Sequence, residues 1–254
     1  MEIKNCAAIV TGGASGMGAA TAKMLSLCGA KVTLFDTNKE AAEKLAIEIH
    51  GQAIYCDVTY ADQVETGIKE AEKYHGPARL CINCAGIVHS RRIVNQQGPM
   101  PLDEFRKVIE INLIGTFNIM RIAAAAMIPL SPLATSEERG IIINTTSIAA
   151  FEGQIGQTAY SASKGGIISL TLPAARELAQ FGIRVMAIAP GLVDTPMFAK
   201  ILPEARASLA ANVPFPKRLA HPEEYALLVR HIIENPMLNG EVIRLDGALR
   251  MQAK

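Results

Sequence analysis

Tryptophan is absent from this chain of 254 residues, and aromatic side chains make up only 5% of it. An excess of one charge is also missing: 25 Lys and Arg stand against 24 Asp and Glu, a net charge of +1. Without a basic field, electrostatic binding to nucleic acid or to an anionic membrane surface is not expected, and the Arg91-Arg92 pair stands alone. The longest apolar stretches, such as "IAAAAMIPL" (122–130), fall short of the roughly 20 residues that cross a bilayer. The opening "MEIKNCAAIVTGG" has neither the charged-then-apolar pattern of a secretion signal nor an arginine-rich transit pattern. The expectation is a soluble, cytoplasmic protein, with the mitochondrial matrix less favoured.

Cysteine is sparse and odd in number, five in all and mostly in apolar contexts, which suits a reducing compartment. Only "CINCAGI" (81–87) offers a C-x-x-C spacing. The preceding Leu80-Cys81-Ile82 reads as a strand, and residues three apart on a strand face opposite ways. A structural zinc site would need a second pair, and Cys6, Cys28 and Cys56 lie singly elsewhere. No metal site is expected, and "NCAG" calls for another explanation.

Half of the residues are apolar and 19% are charged, a composition suited to an α/β core. Strand patterns at 7–10, 31–35, 53–56, 79–83, 140–147, 183–189 and 241–245 alternate with helical periodicity at 16–28, 39–50, 61–74, 102–127, 159–181 and 221–234. Strands apolar throughout imply a parallel sheet covered on both faces. The reading is a single domain over 1–254: a doubly wound Rossmann fold with a seven-stranded parallel sheet and helices on both faces. Three connections are long. Loops 87–101 and 191–220 leave carboxyl ends of strands, where ligands bind in such sheets, and are expected to wall a substrate pocket. Loop 128–139 enters a strand from its amino end and is expected to have a surface or partner role at most.

"TGGASGMG" (11–18) follows the first strand and opens a helix. Gly12 permits a tight turn, Gly16 lets the backbone approach a pyrophosphate, and Gly18 allows close helix packing. A purely structural turn is the competing reading. Asp36 favours the first, since it ends the next strand at the spacing of an acid that accepts ribose hydroxyls. A carboxylate there repels a 2′-phosphate, which favours NAD over NADP. Asp57, in "CDV", suits either turn capping or an adenine contact. In "NCAG", small residues let the chain pass close beside a dinucleotide.

"TTS" (145–147) ends the fifth strand, and "YSASK" (160–164) opens a long helix. Tyr160 and Lys164 are neighbours on one helix face, where an ammonium is expected to lower the phenol pKa and fit it for acid–base work. Ser147 can donate a hydrogen bond to a substrate oxygen. Taken alone, Tyr-x-x-x-Lys is more often an exposed helix pair, and Asn112 in "VIEINLIGTFN" is as well read as a polar helix contact.

Together, T-G-x-x-x-G-x-G, the strand-end aspartate, N-x-A-G, Asn112, Ser147, Tyr160, Lys164 and "PG" followed by Thr195 resemble the short-chain dehydrogenase/reductase family over essentially the whole chain. Within it, "AAFEGQIGQTAYSASKGG", "GIRVMAIAPGL", "VPFPKRL" and "ENPMLNGEVIRLDGALRMQ" are similar to members that act on 3-hydroxyacyl-CoA. The resemblance implies NAD held by Gly12, Ser15, Gly16, Met17, Gly18, Asp36, Asp57, Val58, Asn83, Cys84, Ala85, Gly86, Tyr160, Lys164, Pro190, Gly191, Val193 and Thr195. It implies that Tyr160 transfers the hydroxyl proton and Lys164 tunes it and binds a ribose. Ser147 then orients the substrate oxygen, and Asn112 opens its helix to hold a relay water. Met197, Phe198, Ile201 and Leu202 become an apolar lid. The substrate implied is an acyl-CoA or similar lipophilic alcohol or ketone, and the assembly a homotetramer. The alternatives are a 3-oxoacyl-carrier-protein reductase, a hydroxysteroid dehydrogenase, or a non-catalytic NAD-bound scaffold.

Overall fold

In the computed structural model, which describes residues 1–134, 136–196 and 203–253, β-branched runs become buried strands and alanine-rich runs the helices that cover them. The elements in chain order are β1 (Ala7–Thr11), α1 (Gly16–Leu27), β2 (Lys31–Asp36), α2 (Lys39–Glu48), β3 (Gln52–Tyr55), α3 (Ala61–His75) and β4 (Ala78–Asn83). Then come a short hairpin, β5 (Val94–Asn95) and β6 (Gly98–Pro99), followed by α4 (Leu102–Ile109), α5 (Gly115–Met127) and β7 (Gly140–Thr145). The chain ends with α6 (Thr158–Ala179), β8 (Ile183–Pro190), α7 (Pro203–Ala211), α8 (Pro222–Glu234) and β9 (Val242–Leu245).

The main sheet is seven-stranded in the order β3-β2-β1-β4-β7-β8-β9, and every pairing in it is parallel. Strand alternation divides the core. Val10, Leu34, Ile82, Ile143 and Ile188 face α1, α2 and α8. Ile9, Phe35, Cys81, Ile142 and Val185 face α3, α5 and α6. The order reverses between β1 and β4, and at that point a crevice opens beyond the carboxyl ends.

Three expectations need correction. The helix expected over 102–127 is interrupted by a π-helical turn at Glu110–Ile114, centred on Asn112. As one run, Leu102–Met127 is 26 residues long and apolar enough by composition to cross a membrane, unlike the shorter stretches noted above. Half of its most apolar window is buried inside the domain, where α5 covers β4 and β7.

The two substrate loops also hold structure of their own. Asn95 Oδ1 accepts the Gln97 amide at 2.8 Å and nucleates the β5–β6 hairpin. Residues 191–220 contain α7, and paired amides (Ala220 N to Leu192 O and Asp194 N to Ala220 O, both 2.8 Å) close the base of the loop. Loop 128–139 is mostly exposed, with Ile128, Pro129, Ser131, Pro132 and Glu137 on the surface. Arg79 donates to Ser131 O and Arg139 O, and Arg139 donates to Leu130 O and Phe181 O, fastening the loop under the sheet.

Candidate active site

At the reversal, the β1–α1 turn and the end of β4 run against each other. Gly12 and Gly16 have positive φ (60° and 52°), as the tight turn requires. A Cβ on Gly12 would lie 2.8 Å from the Ala85 amide nitrogen, and one on Gly18 would collide with the Gly12 carbonyl. Thr11 locks the crossing: its carbonyl accepts from Cys84 N at 3.2 Å and its Oγ1 from Ala85 N at 3.1 Å. The first turn of α1 has no side-chain cap from Ser15, so its amides and dipole face the crevice.

This explains "NCAG": bulk at 84–86 would push the two turns apart. Cys81 packs in the α3–α5–α6 face and Cys84 against the opposite one, so the two thiols point apart. Burial pushes the Cys81 thiol up to about 12 and raises that of Cys84 as well. All five cysteines are unpaired.

The crevice is a cavity of about 660 Å³. One end is lined by Gly12, Ser15, Gly16, Met17, Gly18, Asp36, Asp57 and Val58. Asp36 is preset by two amides, Oδ2 accepting from Ala14 N at 2.9 Å and Oδ1 from Asn38 N at 2.8 Å. Asp57 Oδ1 accepts from Thr59 N and Thr59 Oγ1, so capping and cavity lining coexist at this residue. The middle and far wall carry Cys84, Ala85, Gly86, Ser147, Tyr160, Lys164, Pro190, Gly191, Val193 and Thr195. The cradle and the acid pair fit an adenine dinucleotide: glycines stand where side chains would fill the phosphate path, and a fixed carboxylate stands where ribose hydroxyls donate.

Ser147 leaves β7 extended and caps a short 3-10 turn, its Oγ accepting from Ala149 N at 3.1 Å. Ser147 and Tyr160 both line the cavity wall. Lys164 is buried one helical turn on; its Nζ donates to Thr145 O at 2.8 Å and lies 5.9 Å from the Tyr160 ring centre. Burial lowers the Lys164 pKa to about 8, with a smaller opposing effect from Cys84. For Tyr160 the expected lowering is not found. Burial raises its pKa, and nearby Ser147 only partly opposes this. The ammonium points to the Thr145 carbonyl rather than the phenol oxygen.

Two expected site residues stand behind the cavity wall. Asn83 is buried and donates to Asn144 Oδ1 at 2.9 Å, while its carbonyl accepts from Thr145 Oγ1 at 2.6 Å. It aligns β4 with β7 and offers the crevice no side chain. Asn112 is fully buried: Oδ1 accepts from Ile87 N at 2.8 Å, and Nδ2 donates to Ile87 O and Ser163 Oγ. Its carbonyl accepts from Thr116 Oγ1 at 2.7 Å. Asn112 therefore fastens the chain after Gly86, beside Lys164; a Cβ on Gly86 would lie 3.2 Å from Asn112 Oδ1 and 3.5 Å from Lys164 Nζ. The supposed lid residues Met197, Phe198, Ile201 and Leu202 lie outside the described residues.

Sequence reasoning missed Gln154, Gln157, Leu192, Leu209 and Met251, which also line the cavity. The glutamines stood in plain view in "GQIGQT", just before Tyr160. Leu209 and Met251 carried no local signal, because only tertiary folding brings α7 and the tail to the crevice.

The short chain dehydrogenase family model matches residues 6–206. The chain is 48% identical to "3-hydroxyacyl-CoA dehydrogenase type-2" of Rattus norvegicus, covering 99% of this chain and 97% of that protein. A crystal structure of 3-hydroxyacyl-CoA dehydrogenase type-2 from Mycobacterium avium superposes with a TM-score of 0.94 at 42% identity, covering 98% of each chain. One of 3-ketoacyl-(acyl-carrier-protein) reductase from Brucella melitensis complexed with NADH gives 0.86 at 27% identity, covering 97% of this chain and 98% of that one. The chain belongs to the short-chain dehydrogenase family. It is an NAD-dependent oxidoreductase, related within that family to the 3-hydroxyacyl-CoA dehydrogenase type-2 branch.

Proposed function

We propose that the protein interconverts 3-hydroxyacyl-CoA and 3-oxoacyl-CoA, with NAD preferred over NADP. The observation that carries this is the convergence of Ser147, Tyr160 and Lys164 on the wall of one cavity whose other end is the glycine turn with Asp36. NAD, when bound, supplies the hydride acceptor for the carbinol carbon. Tyr160 Oη takes the hydroxyl proton during oxidation and returns it in reduction. Ser147 holds the substrate oxygen against Tyr160. Lys164, cationic below about 8 and 5.9 Å from the Tyr160 ring centre, stabilises the phenolate as it forms. Asn112 keeps Gly86 and Ile87 clear of Lys164.

The substrate is a lipophilic molecule, a reading supported by Leu192, Leu209 and Met251 in the cavity wall. We propose a homotetramer, supported by the half-exposed Ile114 at the end of the π-helical turn, Phe117 on α5 and Leu172 on α6. A cytoplasmic location, with no nucleic-acid or membrane partner, is supported by the unpaired thiols and balanced charge.

The test is a kcat/KM series over 3-hydroxyacyl-CoA chain lengths with each cofactor. A like-charge contact between Asp36 and a 2′-phosphate costs a few kcal/mol, so NAD should win by on the order of 100-fold. Asp36→Ala should narrow the gap. Equal use of NADP, or turnover confined to carrier-protein substrates, would overturn the proposal.

A further inference from the structure

The tail beyond β9 folds back over the cavity. Gln154 Nε2 donates to Gln252 O at 3.2 Å, and Ile155 N donates to Ala253 O at 2.9 Å. An ion cluster clasps its root. Arg244 donates to both Glu152 oxygens at 2.8 and 2.9 Å, to Asp246 Oδ2 at 2.7 Å and to Leu249 O at 3.0 Å. Arg250 adds contacts to Asp246 and Glu152 at 3.3 and 3.4 Å. Leu249 is buried against Ile148 and Val213, with Leu192 and Met251 packed on that cluster. Held from both sides, Met251 becomes part of the cavity wall.

Its place along the cavity follows from its neighbours. Ile148 is next to Ser147 in sequence, and Gln154 lies just before the helix that carries Tyr160. Met251 is therefore at the Ser147–Tyr160 end, away from Asp36 and the glycine turn. We propose that Met251, held there by the clasped tail, is a specificity-determining residue that limits the acyl group accepted beside the reacting carbon. This rests on the hydroxyacyl reading above. An unbranched thioether fills an irregular apolar wall without offering it a hydrogen bond, so a change of size alters the room available and little else.

The experiment uses the full chain carrying Met251→Ala or Met251→Phe. kcat/KM is measured for straight and branched 3-hydroxyacyl-CoA substrates of increasing length, and NADH affinity by fluorescence titration. One methylene in an apolar pocket is worth roughly 10-fold or more in kcat/KM. Met251→Ala should raise the ratio of long or branched to short substrates by about 10-fold, and Met251→Phe should lower it comparably. NADH affinity should stay near wild type in both. Glu152→Gln, which weakens the clasp and leaves Met251 in place, should move the ratio in the direction of Met251→Ala. Ratios unchanged in both Met251 variants would overturn the proposal, as would an equal loss on every substrate; an unchanged ratio in Glu152→Gln would overturn the role of the clasp. Failure of the hydroxyacyl reading shows separately, as wild-type turnover of other secondary alcohols only. The same size series with those alcohols then decides the role of Met251.

Discussion

Two cations are buried at opposite ends of the same sheet, and they are treated in opposite ways. Arg184, near the amino end of β8, is 5% exposed and saturated with partners. It donates to Glu138 at 2.5 Å and to the carbonyls of Ile232, Ile233, Asn235 and Leu238 at the end of α8. Burial raises the Glu138 pKa, but the Met1 amino group, 2.9 Å from Oε2, and the Arg184 guanidinium outweigh it and keep the carboxyl below its usual range. Lys164, at the carboxyl end, is 4% exposed; among the described residues it donates to a single acceptor, Thr145 O, and faces no carboxylate. One end spends its polar groups on holding loops and helices together. The other leaves them underused and turned to a cavity, as chemistry on a bound molecule requires.

The sharpest way to break the comparison is at Tyr160. Tyr160→Phe removes the transferable proton and keeps the ring, so turnover should fall by about 10² to 10⁴ while NADH affinity stays near wild type. Retained turnover would remove the carboxyl end's claim to chemistry. At the other end, Arg184→Met leaves Glu138 without its guanidinium and takes a donor from four carbonyls, of which Ile233 O keeps the Met1 amino group. Denaturant unfolding should show a loss of about 3 kcal/mol or more, with kcat of the folded fraction within a few-fold of wild type. A variant that unfolds like wild type would show that the amino-end clasp is decorative. The smallest effect is expected from Cys81→Ser with Cys84→Ala: turnover within several-fold, the loss coming from packing. A collapse of activity accompanied by zinc in the native protein would restore thiol chemistry to the site.

What was legible in the sequence follows the same division. The parallel sheet and the residues at strand ends could be read because strand periodicity and glycine placement are local signals. The opposed faces of Cys81 and Cys84 followed from strand geometry alone. The arginine clasp was not legible, since Arg79, Arg139 and Arg184 look like ordinary surface charges until the loops they bind are in place. Asn112 was found by its odd residue type in a helix, but its neighbours could not be read: the π turn buries it behind the wall. The Tyr160 phenol was expected to be shifted down by Lys164. Burial wins instead, a balance that spacing cannot reveal. Met251 was invisible for a simpler reason, being brought to the cavity by contacts nearly 100 residues away in sequence, at Gln154 and Ile155.

The central claim is that Lys164 is kept charged and under-partnered for chemistry at the expense of stability. Its pKa is about 8 when folded against an ordinary 10.5, so the unfolded chain binds the extra proton between those values. The penalty is therefore complete below about pH 8 and relieved as pH rises from there towards 10.5. By linkage it is of the order of 3 kcal/mol, part of which is returned by the hydrogen bond to Thr145. The measurement is the unfolding free energy of cofactor-free Lys164→Met beside wild type at pH 7 and pH 10, with turnover recorded for both. The account predicts a variant about 1 to 3 kcal/mol more stable at pH 7, a smaller advantage at pH 10, and turnover lost. A variant less stable than wild type at pH 7, or one that still turns over, would contradict it.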